Sequence, residues 1–134
     1  MVKAAVDAAK KQAKILKVKP PLLIGVTVLT SKIACPEEIL SLAQAGLAWG
    51  LDGVVCSAQE AKKLRKKIKK DFVMVTPGIR ANGALKDDQK RTATVCEAVS
   101  SGSSFLVIGR PILKAADPLA AANEMLGDLH GRRN

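Results

Sequence analysis

Apolar residues in this chain follow two alternating patterns, short unbroken runs of branched side chains and longer stretches where they recur every three or four positions among charges. The first pattern predicts buried strands and the second amphipathic helices. Val2, Ala5, Val6, Ala9, Ala13 and Leu16 fall close to one helical stripe, with Lys3, Asp7, Lys10, Lys11 and Lys14 largely elsewhere, so a helix runs from Val2 to about Lys17. Pro20-Pro21 stops it. Leu22 to Val28 is a continuous apolar run, broken only by Gly25 and Thr27 and too short for a helix; it reads as a buried strand ending at Leu29-Thr30-Ser31.

Cys35-Pro36-Glu37-Glu38 starts the next helix, with proline at the first helical position and two carboxylates facing the positive end of the dipole. Ile39, Leu40, Leu42 and Ala43 carry it inward. After Gly46 and Gly50, Asp52 to Cys56 is a short strand, and Ser57 with Glu60 has the spacing of a capping box for a helix from Ala58 to about Lys70. Phe72 to Thr76 is the third strand, and Pro77 to about Arg91 a polar loop. Thr94 and Glu97 form another capping box, for a helix carrying Val95, Cys96, Ala98 and Val99 that ends near Gly102. Phe105 to Ile108 is the fourth strand. Asp117-Pro118 caps the last helix, which buries Leu119, Ala122, Met125 and Leu126 before a frayed tail of residues 131–134. A helix followed by four strand–helix units implies right-handed crossovers and a parallel sheet.

Composition narrows this picture. A chain of 134 residues fits one domain, and no linker or second composition class divides residues 1–134. It is 48% hydrophobic but only 2% aromatic, so the core must be built of Val, Ile, Leu and Ala, as suits parallel strands under helices. Cys35, Cys56 and Cys96 are odd in number, lack CxxC spacing and lie in or beside apolar segments; they read as small buried thiols of a reduced, cytoplasmic protein. No apolar run is long enough for a membrane span, and the first residues lack the pattern of a signal peptide.

The net charge of +10 attracts phosphorylated small molecules, nucleic acids or anionic membranes without choosing among them. The densest basic run, Lys62, Lys63, Arg65, Lys66, Lys67, Lys69 and Lys70, reads as a solvated helix face. No aromatic residues are interleaved with it for base stacking, which argues against a nucleic-acid partner.

Two stretches share one pattern. Val73-Met74-Val75-Thr76-Pro77-Gly78-Ile79-Arg80 and Phe105-Leu106-Val107-Ile108-Gly109-Arg110-Pro111 each end a strand on a glycine, followed by an arginine able to fork onto an oxyanion. Side by side, such strand ends make a phosphate site. By spacing alone they serve equally well as turns carrying surface arginines. Ser31 and Ser57 suggest a nucleophile, but no base is placed for either, and the only histidine, His130, lies near the C-terminal tail.

Five motifs in order closely resemble orotidine 5′-phosphate decarboxylases. They are Gly25-Val26-Thr27-Val28-Leu29-Thr30-Ser31, Gly50-Leu51-Asp52-Gly53-Val54-Val55-Cys56-Ser57, Val75-Thr76-Pro77-Gly78-Ile79-Arg80, Asp88-Gln89-Lys90-Arg91 and Val107-Ile108-Gly109-Arg110-Pro111. The resemblance covers nearly the whole chain and matches the second half of that family's (β/α)8 barrel. It implies a half-barrel of four βα units preceded by one helix. It also implies that Thr30 bonds the pyrimidine edge, that Gln89 bridges base and phosphate, and that Arg80 and Arg110 bind the 5′-phosphate beside the Gly109 amide.

The family decarboxylates without a cofactor, using an Asp-x-Lys-x-x-Asp motif on an earlier strand, and no such motif occurs here. The resemblance therefore implies an orotidine- or uridine-monophosphate ligand, or phosphate, and no turnover by this chain alone. Four strands leave two unpaired edges and an open inner face. A homo-oligomer or a complementary N-terminal half-barrel would cover them. The alternative function is a self-assembling half-barrel with a vestigial phosphate site.

Overall fold

The computed structural model describes residues 1–29, 35–80 and 92–130. In chain order the elements are α1 (Val2–Leu16), β1 (Ile24–Val26), α2 (Pro36–Ala48), β2 (Gly53–Val55), α3 (Ala58–Lys67), β3 (Val73–Thr76), β4 (Ile79–Arg80), β5 (Ala93–Thr94), α4 (Val95–Ser100), β6 (Phe105–Leu106), α5 (Arg110–Leu113) and α6 (Pro118–His130). β1, β2, β3 and β6 form one parallel sheet in that order, and β4 and β5 a separate two-residue parallel ladder. The βα alternation of the sequence thus yields the expected α/β parallel architecture.

Register decides what each side of the sheet presents. Gly25, Val54 and Met74 align across β1, β2 and β3 on the helix side, where Val54 and Met74 are buried. Val26, Val55, Val75 and Phe105 align on the other side, and there Val26 and Phe105 remain 60% and 57% exposed. Between sheet and helices lie two apolar clusters. One joins Ile39, Ala43 and Leu47 of α2 to Leu64, Phe72 and Met74; the other joins Ile79, Val95, Ala98 and Met125 to Ile108 and Ile112. Gly53 is required by close packing, since a β-carbon there would fall on the Val73 carbonyl of the neighbouring strand.

The caps hold as the sequence indicates. The Ser57 amide donates to Glu60 Oε2 at 2.9 Å, the Thr94 amide to Glu97 Oε2 at 2.8 Å, and the Ala120 amide to Asp117 Oδ1 at 3.0 Å.

Several expectations are corrected. α3 ends at Lys67, because Ile68 adopts an extended conformation and packs its side chain on the first cluster instead of continuing toward Lys70. The expected loop after Thr76 contains β4, and Arg110 to Leu113 form a helical turn with proline in its first turn. Leu119 and Leu126, expected in the core, are 72% and 49% exposed, because α6 turns Met125 and Leu129 onto the second cluster instead. Leu42 of α2 is also exposed. Arg65 is no part of a solvated face: its guanidinium donates to the Gly102 and Phe72 carbonyls at 2.9 and 2.8 Å and to Ser104 Oγ at 3.0 Å, and stacks 4.5 Å from the Phe72 ring centroid.

The cysteines differ among themselves. Cys56 is buried and Cys96 half-buried, but Cys35 is exposed at the N-cap of α2, its thiol donating to Glu37 at 2.9 Å. None of the three forms a disulfide. No helix among the described residues is long and apolar enough to cross a membrane.

Candidate functional site at the carboxyl ends of the strands

Ligands of parallel α/β folds bind beyond the carboxyl ends of the strands, and two of the sequence-marked stretches meet there. After β3 the chain turns through Gly78, whose φ of 80° is the left-handed conformation glycine adopts without strain. It then enters β4, where Ile79 pairs with Ala93 and Arg80 with Thr94. The Ala93 amide closes the ladder on the Gly78 carbonyl at 3.2 Å. This short ladder fixes the backbone of Arg80, a half-buried residue whose guanidinium donates to the Ile79 carbonyl at 2.9 Å.

The second stretch turns at Gly109. Its carbonyl accepts the amides of Ile112 and Leu113 at 3.0 Å each, which folds Arg110 to Leu113 back as α5. Gly109 is exposed, and among the described residues no atom beyond its chain neighbours lies within 4 Å of where its β-carbon would be, so these residues leave the backbone open on that side. Arg110 is half-buried.

Packing unites the two stretches. Ile79, directly before Arg80, shares one cluster with Ile108 and Ile112, which flank Gly109 and Arg110. Arg80 and the Gly109-Arg110 turn therefore rise from a single apolar block. Thr30 and Gln89 lie outside the described residues.

Two threonines at this end were read from the sequence only as a strand residue and as a helix cap. Thr27 Oγ1 donates to the Val55 carbonyl at 2.9 Å and stiffens the exit of β1. Thr94 pairs with Arg80 in the ladder and caps α4, and its amide and hydroxyl hold the Glu97 carboxyl below the usual carboxylate range. A β-branched residue one turn before a glutamate was the available signal, but it marked a helix start and not a strand.

A groove of about 630 Å³ lies at the amino ends of the strands and is lined by Leu22, Asp52, Arg65, Asp71, Phe72 and Val73. Its polar groups serve the fold, Asp52 accepting the Leu23 amide at 2.8 Å and Arg65 tying α3 to the strands. Among the described residues no group of three His, Cys, Asp or Glu side chains could hold a metal ion.

A parallel four-stranded sheet with helices on one side, and two glycine–arginine turns on a common block at its carboxyl ends, is the architecture of part of a TIM barrel. Residues 1–125 match the orotidine 5′-phosphate decarboxylase / HUMPS family, and the chain belongs to that family. It is 51% identical over 117 residues to the orotidine 5′-phosphate decarboxylase of Neisseria meningitidis, covering 78% of this chain and 48% of that protein. The enzyme of Hydrogenovibrio crunogenus is 49% identical over 128 residues, covering 87% and 54%. Among solved structures, the orotidine 5′-phosphate decarboxylase of Lactobacillus acidophilus superimposes with a TM-score of 0.75 at 36% identity, over 97% of this chain and 58% of that one. The chain thus spans about half the length of the curated relatives it matches.

Proposed function

We propose that this chain is the phosphate-binding half of an orotidine 5′-phosphate decarboxylase barrel, contributing to the step from orotidine monophosphate to UMP in pyrimidine synthesis. The observation that carries the reading is the common seating of Ile79, Ile108 and Ile112, which anchors Arg80 and Gly109-Arg110 to one rigid block. A nucleotide 5′-phosphate is a dianion with three acceptor oxygens. A forked guanidinium and an open backbone amide bind such a group more strongly than they bind a neutral sugar. In this reading Arg80 and Arg110 hold the phosphate beside the Gly109 amide, Thr30 contacts the pyrimidine edge, and Gln89 bridges base and phosphate.

Decarboxylation also needs a carboxylate that repels the departing one and a lysine that delivers a proton to the carbon left behind. Without an Asp-x-Lys-x-x-Asp motif, this chain binds and orients but does not turn over alone. The whole of residues 1–134 acts as this single half-barrel domain, in the cytoplasm and with no cofactor.

The test is calorimetric titration of the chain with UMP, beside Arg110→Ala, in one buffer of stated salt. We expect saturable binding that the substitution weakens roughly ten- to hundredfold, as loss of one charge-assisted contact of about 1.5–3 kcal/mol requires. Absence of binding by either protein would refute the reading. The open sheet side, with Val26, Phe105 and Val107 more than half exposed, favours a second reading as an assembly module, and its occupant decides between self-association and pairing.

A further inference from the structure

The two arginines of the site are held by different means. Arg110 opens α5, and that turn closes on itself, the Ile112 and Leu113 amides both returning to the Gly109 carbonyl. Arg80 has no such turn. Its strand β4 is two residues long and stands apart from the four-stranded sheet, and β5 is its one strand neighbour among the described residues. So short a parallel ladder does not hold its register unaided, and the place of Arg80 therefore depends on what fixes β5.

β5 is fixed from its far end. Thr94, which pairs with Arg80, is also the N-cap of α4, and Glu97 ties it down. The Thr94 amide donates to Glu97 Oε2 at 2.8 Å, the Thr94 hydroxyl donates to the same oxygen at 3.1 Å, and that hydroxyl accepts the Glu97 amide at 3.2 Å. α4 is in turn seated by Val95 and Ala98, 1% and 0% exposed, in the cluster that holds Ile79. Ile79 and Val95, the chain neighbours of Arg80 and Thr94, are thus buried in one cluster, and the cap is the joint between them.

We propose that Thr94 and Glu97 are positioning residues for phosphate recognition, acting through the β4–β5 ladder on Arg80 and not on Arg110. The proposal rests on the phosphate reading given above. A guanidinium forks onto phosphate oxygens only from a set distance and angle, and misplacement by about 1 Å is costly. Thr94 is half-buried and Glu97 exposed, and neither side chain belongs to the apolar cluster, so replacing them leaves that block intact. The consequence is a selective coupling to one arginine, which general loosening of the fold would not give.

The test is calorimetric titration of the full chain with UMP, carrying Thr94→Val alone and combined with Arg80→Ala or with Arg110→Ala. Valine keeps the β-branched shape that suits a strand and removes the hydroxyl. We expect affinity about three- to tenfold lower in Thr94→Val, the size of coupling carried between residues that share a network. Thr94→Ser should recover it. The same loss should appear in the Arg110→Ala background and none in the Arg80→Ala background. Glu97→Ala removes the acceptor without altering the ladder residues and should repeat the pattern, so it decides the matter if circular dichroism shows Thr94→Val unfolded. Equal losses in both arginine backgrounds, or undiminished affinity in Thr94→Val and Glu97→Ala, would overturn the proposal while leaving the phosphate reading in place. Absence of UMP binding by the unaltered chain would overturn both.

Discussion

Arg65 shows how one side chain can be misplaced by the company it keeps. Six lysines surround it in sequence between Lys62 and Lys70, and a run of that kind ordinarily forms a solvated face. Its five donors in a rigid fork fit it for something a lysine cannot do. Through them α3 is tied to the Phe72 carbonyl at the entry of β3 and to Gly102 and Ser104 at the entry of β6. The Ser104 hydroxyl also accepts the Met74 amide at 3.1 Å, so the network reaches the centre of the sheet. Arg65→Met keeps the aliphatic stem but leaves two part-buried carbonyls unpaired, and we predict a loss of about 2–3 kcal/mol. Urea unfolding should show a lower midpoint at unchanged slope. Arg65→Lys should recover only a minor part, and recovery of full stability by lysine would contradict the multi-acceptor role. The lone arginine among lysines was the available hint in the sequence, but its acceptors are 7 to 39 residues away and no local pattern names them.

At the scale of elements, legibility followed the strength of the local signal. Ser57-Glu60, Thr94-Glu97 and Asp117 located three helix starts because a cap is a contact between residues three positions apart. β4, β5 and α5 carry two, two and four residues, too few to show any period, and were missed for that reason. The stripe of α6 was misread because Leu119 and Leu126 look like core positions when no neighbour is known. The tie between α2 and α3 was equally invisible: Lys63 Nζ meets Glu37 Oε1 at 2.6 Å while the Cys35 thiol holds the other oxygen. The Cys35 thiol, then the Lys63 ammonium, bring the Glu37 carboxyl down to about 2. A carboxyl whose folded pKa is depressed stabilises the fold at pH values above its unfolded pKa and loses that contribution as pH falls through the folded one. We therefore predict stability that holds from pH 7 to about 5 and then declines toward pH 2, from the ordinary carboxylate range down to the depressed value. In Glu37→Gln the decline over that window should be shallower, measured by thermal melts at fixed ionic strength. High salt should shrink the difference between the two proteins, because the pair is solvent-exposed. Identical pH profiles for the two proteins would show that the tie adds nothing.

At the scale of the whole molecule, the parallel sheet was readable because right-handed crossovers join successive βα units, whereas the sequential order β1-β2-β3-β6 followed only from the resemblance to half of a barrel, since the same units also pack in doubly wound orders. The open side of the sheet was readable too, as a count of strands. The helix beyond each edge was not, since its position depends on where α1 and α6 settle against β1 and α4. On the function proposed above, the labour of the barrel is divided: phosphate recognition is assigned to the block that carries Ile79 and Ile108, and the lysine–aspartate network to the facing half. If the division is real, the chemistry returns when the halves meet. We predict that the chain alone releases no CO2 from orotidine monophosphate, and that its complex with a half-barrel carrying the Asp-x-Lys-x-x-Asp motif does. In that complex Arg110→Ala should lower kcat/KM by roughly ten- to hundredfold, the loss expected when one charge-assisted contact to a remote phosphate is removed. Removing the lysine of the facing half should abolish turnover while leaving UMP affinity nearly intact. Turnover by the purified chain alone, from a host lacking its own decarboxylase, would show instead that the catalytic groups lie within these 134 residues.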